Sequence, residues 1–330
     1  MPLVERLPIG AGCAQWSVWG TVARLVVTDP TRLDAAAELV RAELAAVDEA
    51  CSRFRTDSEV RDVLRAHGRP ITVSVRLSEL VQAALDAATD TDGDVDPTLG
   101  LAMSALGYDR DFATITAGAS ATHPDVTPLP IADWRSVRLD GRTLTVPPGV
   151  LLDLGATAKA WAADGCAAIV AQRCGTGVLI ALGGDIATAG PPGGDTSNDT
   201  DDTTGESWRV RVQDGPDEPA CTIALPAGAA LATSSTIGRT WSTGARRLHH
   251  ILDPRTRQPA PRVWRTATVA AYTCVRANTL STAALVRGAR ARRWLDTLGA
   301  PARLVAIDGR VTTLGTWPVE AANAADGSAA

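Results

Sequence analysis

Residues 151–168, LLDLGATAKAWAADGCAA, constrain the fold more than any other stretch of this chain. The apolar run from Val150 to Leu152 reads as the end of a buried strand. Asp153 and Gly155 break it, and Trp161, Ala162 and Ile169 then recur at helical spacing. A glycine at a strand-to-helix turn lets backbone come close to a ligand, and the first N–H groups of the helix favour an anion. Lys159 stands in the first turns, where its ammonium can meet that anion. The stretch therefore fits a phosphate or carboxylate site. On these residues alone, an ordinary strand-to-helix connection with an exposed Asp and Lys is the more economical reading.

The rest of the composition narrows the options. With 330 residues, 45% of them hydrophobic, the chain can bury a full core, and a net charge of −5 argues against a nucleic-acid binder. The six cysteines form no CxxC pair and match no zinc spacing, so free thiols in a reducing compartment are expected. No 18-residue apolar stretch occurs, so no membrane span is expected. The first twenty residues hold neither an apolar signal segment nor a lipobox, which points to a cytoplasmic protein, with any membrane association coming through a target.

Taken in order, residues 16–28 read as one strand and residues 33–50 as an amphipathic helix. CSRFRTDSEV follows, polar around Phe54, and residues 77–88 form a second helix. In 89–100 the aspartates alternate around Gly93, as in a calcium loop. No Glu closes the loop at its twelfth position, so a solvated turn before a helix is the reading kept. Residues 109–136 read as a loop with a short helix, and 134–146 as a hairpin turning at Asp140-Gly141. Residues 177–186 form a buried strand. Residues 190–207 lack large apolar side chains and read as an exposed, mobile loop, and residues 208–213 resume a strand. In RRLHHILDPRTRQP an alternating strand places His250 on the face of Leu248 and Leu252, with His249 opposite, before an Asp253-Pro254 turn. A further strand, 266–273, precedes a helix at 277–287, and 302–314 make a last hairpin. On that helix Asn278, Ser281 and Thr282 share a face, which suits either a metal or phosphate, or plain small-residue packing. Hairpins set between helices predict an α+β fold.

In this order, SRFRTDSE, DVDPTLG, DLGATAKAWAAD, LGGDI, ATSS, HHILDPRT and ANTLSTAAL resemble the landmarks of the ApbE family of FAD:protein FMN transferases, over roughly residues 16–318. The resemblance implies one domain over 1–318, with mixed, largely antiparallel sheets flanked by helices, and a disordered tail at 319–330. It implies that FMN passes from FAD to a Ser or Thr of a flavin-accepting target protein through a phosphoester, with AMP released and Mg²⁺ required. By the same resemblance, Asp153, Lys159, Asp94, Val95, Asp96, Leu252 and Ser281 contact FAD, and Phe54 and Trp19 line the flavin. The resemblance also implies that His250 is catalytic and that Mg²⁺ lies on the Ala156 carbonyl, Asn278 and Thr282. Asn278 stands where the family commonly has Asp, and Ala160 where Gly is usual. The same site could instead hydrolyse FAD to FMN and AMP, or bind flavin without chemistry.

Overall fold

A computed structural model of the chain describes residues 11–115, 133–192, 207–215, 218–243 and 246–318. The loop expected at 190–207 falls almost wholly outside them, as does the tail at 319–330 and much of the loop expected at 109–136.

One antiparallel sheet organises the fold. Its eight strands are β1 (Cys13–Val18), β2 (Thr21–Val27), β3 (Val178–Leu182), β4 (Asp185–Ala189), β5 (Ala230–Ser235), β6 (Trp264–Ala271), β7 (Ala302–Ala306) and β8 (Val311–Leu314). They lie side by side in chain order, each antiparallel to the next. The stretch read as one strand over 16–28 is therefore a hairpin. Trp19 and Gly20 both have positive φ (47° and 66°), the backbone of a tight two-residue turn, and a tryptophan there gives no sequence warning. The strand read over 177–186 likewise turns at Gly183-Gly184 into β4.

Between β2 and β3 the described residues hold five α-helices: α1 (Leu33–Cys51), α2 (Glu59–Arg65), α3 (Val75–Asp90), α4 (Gly100–Ala105) and α5 (Ala158–Cys174). Residues 138–140 and 143–145 form the expected hairpin, joined by residues 71–72 in a three-stranded sheet. The run 150–152 is buried but enters no sheet. Between β6 and β7 come α6 (Cys274–Arg287) and the short α7 (Ala291–Thr297).

The period of two in the strands decides what covers each face. Val178, Ile180 and Leu182 of β3 pack into the core shared with α1, α3 and α5. Leu179 between them packs with Val210, Val212, Ile223 and Leu225 of a ribbon formed by residues 207–213 and 220–226. Further along the sheet, Val269 and Leu304 pack with Leu280, Leu285 and Leu295 of α6 and α7. Among the described residues no helix is long and apolar enough to cross a membrane.

Candidate active site

A cavity of about 500 Å³ opens between this sheet and the inserted helices. That is within the usual range for a cofactor-sized ligand. Its walls come from the β1–β2 turn, the end of α1, the segments at 94–99, 108–112 and 153–159, the β3–β4 turn, the end of β5, residues 250–252 and α6.

The segment before α5 is held by its own polar groups. Asp153 accepts the Gly155 N–H on Oδ1 (2.8 Å) and pairs through Oδ2 with Arg53 Nε (2.9 Å). Its own N–H donates to the Pro97 carbonyl. Gly100 donates to the Leu151 carbonyl, and a Cβ there would lie 2.5 Å from that oxygen, so glycine is required for the two segments to touch. Lys159, the only lysine of the chain, sits in the first turn of α5 and donates to Asp185 Oδ2 at 2.5 Å.

α6 is buried on almost every side. Asp164, on α5, accepts the N–H groups of Cys274 and Val275 (2.8 and 3.1 Å) and so ties the start of α6 to α5. Burial pushes the Asp164 carboxyl up, against the pull of those two bonds. One turn on, Asn278 donates from Nδ2 to Asp185 Oδ1 (2.9 Å), while its buried Oδ1 has no partner. Thr282 Oγ1 lies 2.8 Å from Ser234 Oγ, which also meets Ser281 Oγ at 2.9 Å.

On the opposite wall, Arg53 is nearly buried. Its guanidinium lies over the Phe54 and Tyr108 rings at 4.2 and 4.7 Å and donates to the Tyr108 carbonyl. Phe54, 37% exposed, leaves a ring face open at the wall and tilts on Tyr108 (centroids 5.6 Å apart). Arg239 donates to the Tyr108 hydroxyl and to the Trp19 carbonyl. His250 faces the cavity from a break between two short ladders, 246–249 with 240–243 and 252–253 with 258–259. Burial, with the Arg239 and Lys159 charges, holds its ring well below the ordinary imidazole value, although a bond to the Arg239 backbone works the other way. Its Nδ1 has no partner. The neutral ring keeps a lone pair that can accept a proton, and its burial makes it a weaker base than free imidazole.

Residues 19–319 match the ApbE family. The chain belongs to the ApbE family. It is 26% identical over 283 residues to the FAD:protein FMN transferase of Klebsiella pneumoniae, covering 82% of this chain and 76% of that protein. It is 27% identical over 289 residues to the protein of that name from Treponema pallidum, covering 82% and 77%. The crystal structure of the ApbE protein from Thermotoga maritima superposes with a TM-score of 0.77 at 25% identity, covering 92% of this chain and 97% of that one. The apo form of the Pseudomonas stutzeri flavinyl transferase ApbE shares the fold, with a TM-score of 0.72 at 21% identity, covering 92% and 94%. The α+β class, with antiparallel strands and flanking helices, is the observed one.

Of the residues that the ApbE landmarks singled out, Trp19, Phe54, Asp94, Val95, Asp96, Asp153, Ala156, Lys159, His250, Leu252, Asn278 and Thr282 all line the one cavity. Ser281 does not. It is fully buried behind Ser234 and donates to the Asn278 carbonyl, so the packing reading of that helix face holds at Ser281. Two aspartates of DVDPTLG are already engaged. Asp94 pairs with Arg255 and Arg287, and Asp96 accepts from the N–H and hydroxyl of Thr98 and from the Trp134 N–H. His250 and Leu252 line the cavity together and Leu248 packs with Leu252, while the ladder ends at His249. That ring is buried beside Leu248 and bonds the Ala260 carbonyl (3.0 Å). Arg53, Tyr108 and Arg239 line the site without having been singled out, and Asp185 supports it through Lys159 and Asn278. Arg53 and Asp185 stand inside quoted landmarks, whereas nothing local marks Tyr108 or Arg239.

Proposed function

We propose that this ApbE protein transfers FMN from FAD to a Ser or Thr hydroxyl of a flavin-accepting protein, with Mg²⁺ bound and AMP released. One observation carries the reading: twelve landmark residues, scattered from Trp19 to Thr282, converge on a single cavity in a chain of this family.

The residues fit a magnesium ion. Asn278 Oδ1 is a buried, unpartnered oxygen, and Thr282 and Ala156 line the same cavity. All are hard oxygen donors, the kind that Mg²⁺ takes, usually together with substrate phosphates and water. When bound, the ion supplies charge neutralisation on phosphoryl oxygens. The chain supplies the rest. Phe54 and Trp19 offer ring surface to the flavin. Lys159, at the start of α5, faces the diphosphate. The acceptor hydroxyl oxygen attacks the FMN phosphorus, its proton passes to the neutral His250 ring, and the bond to the AMP phosphate breaks.

The test is incubation with FAD, Mg²⁺ and a folded acceptor domain, followed by a denaturing gel. A covalently fluorescent acceptor band is expected, absent when the acceptor Ser or Thr is replaced by Ala. No band, with FAD bound and the acceptor folded, contradicts the proposal.

A further inference from the structure

The proposed ligand set of Ala156, Asn278 and Thr282 contains no negative charge, yet a divalent cation favours anionic oxygen. The carboxylate bonded directly to that set is Asp185, at the start of β4 and 1% exposed. Both its oxygens are engaged, Oδ2 by Lys159 Nζ at 2.5 Å and Oδ1 by Asn278 Nδ2 at 2.9 Å. A carboxylate next to an ammonium only accepts hydrogen bonds. Asn278 must therefore turn its NH₂ toward Asp185 and its carbonyl away. That carbonyl oxygen is enclosed and unpartnered, in a side chain 5% exposed that lines the cavity. A buried acceptor without a donor is costly unless something else meets it.

We infer that Asp185 is a positioning residue for the metal: it locks the Asn278 amide so that Oδ1 faces the cation, and it polarises that amide from behind. This rests on the metal reading above. Lys159 completes the arrangement by holding the second carboxylate oxygen, which keeps Asp185 from rotating off Asn278. Outer partners of this kind typically change metal affinity by about 10- to 100-fold when removed.

The geometry predicts an unusual rescue. In Asp185→Asn the new amide can face Asn278 with either end, so the Asn278 carbonyl is no longer forced toward the cavity. Adding Asn278→Asp restores the arrangement. A carboxylate is symmetric, so one of its oxygens accepts from the NH₂ group introduced at position 185 while the other still faces the cation.

The experiment is calorimetric titration of Mg²⁺ into the full chain carrying FAD, without acceptor, for wild type, Asp185→Asn and the double variant. Circular dichroism and metal-free FAD binding serve as fold checks. Asp185→Asn should weaken Mg²⁺ by about 10- to 100-fold, and the double variant should bind at least as tightly as wild type. Wild-type affinity in Asp185→Asn overturns the inference, as does a double variant no tighter than the single one. If Asp185→Asn alone fails to fold, the double variant decides, and Mg²⁺ binding weaker than wild type overturns the inference. A wild type that takes up no Mg²⁺ overturns the metal reading itself.

Discussion

Arg53 Nε lies 2.9 Å from Asp153 Oδ2, joining the end of the α1 segment to the loop that leads into α5. The pair is 100 residues apart in sequence and only 6% and 18% exposed. Arg53 also spans the Phe54 and Tyr108 rings. Truncation leaves Asp153 half-buried with only the Gly155 N–H. Arg53→Met should lower stability by about 3 kcal/mol and weaken FAD binding more than turnover. Arg53→Met/Asp153→Asn should regain part of that loss. Urea unfolding and flavin-quenching titrations measure both, and additive losses in the double variant would show that the pair is not coupled.

His250→Ala should slow FMN transfer by about 10²–10⁴-fold with FAD binding kept. Because burial and two neighbouring cations hold the His250 ring well below 6.5, the ring stays neutral through that pH. The transfer rate should then show no acidic limb at 6.5, only one further down. A limb centred at the ordinary imidazole value would place the catalytic proton on another group.

His249 titrates as a stability element. Burial lowers it to about 4, while in the unfolded chain it takes a proton near 6.5. Between those values the unfolded state binds more protons. The His249 contribution is therefore complete above pH 6.5 and is lost as pH falls toward 4, at no more than about 1.4 kcal/mol per pH unit. His249→Gln, which can still donate to the Ala260 carbonyl, should flatten the drop in urea stability between pH 7 and pH 5. An unchanged drop would assign it to other groups.

Thr282→Val keeps the shape and removes the hydroxyl. It should raise the Mg²⁺ needed for half-maximal AMP release and, through the lost contact with Ser234, reduce stability by about 1 kcal/mol. Ala156 offers only its backbone, so Ala156→Gly should shift the Mg²⁺ requirement less. Equal Mg²⁺ dependence in wild type and Thr282→Val would move the metal off α6.

Much of this was legible in the sequence, for identifiable reasons. The hairpin at 138–145 announced itself because Asp140-Gly141 is a turn dipeptide, whereas the turn at Trp19-Gly20 hid behind an aromatic residue at positive φ. Asn278 and Thr282 could be placed on one helix face, but the same spacing could not say that Ser281 looks at β5 rather than at the cavity. That choice depends on Ser234, which a helical period cannot see. Tyr108 and Arg239 were missed for the same reason. Arg239 reaches the Trp19 carbonyl across 220 residues, a contact that only the closed sheet creates. Strand alternation separated His249 from His250, but it could not show the His249 bond to the Ala260 carbonyl, which the fold supplies.

The central claim is that the cavity moves FMN to protein rather than to water. Chromatographic counting of AMP, free FMN and flavinylated acceptor, after incubation with FAD, Mg²⁺ and a folded acceptor domain, tests it most directly. The account predicts one flavinylated acceptor for each AMP and little free FMN, with His250→Ala suppressing all three products together. AMP matched by free FMN, with the acceptor unmodified, would contradict it and make the protein an FAD hydrolase.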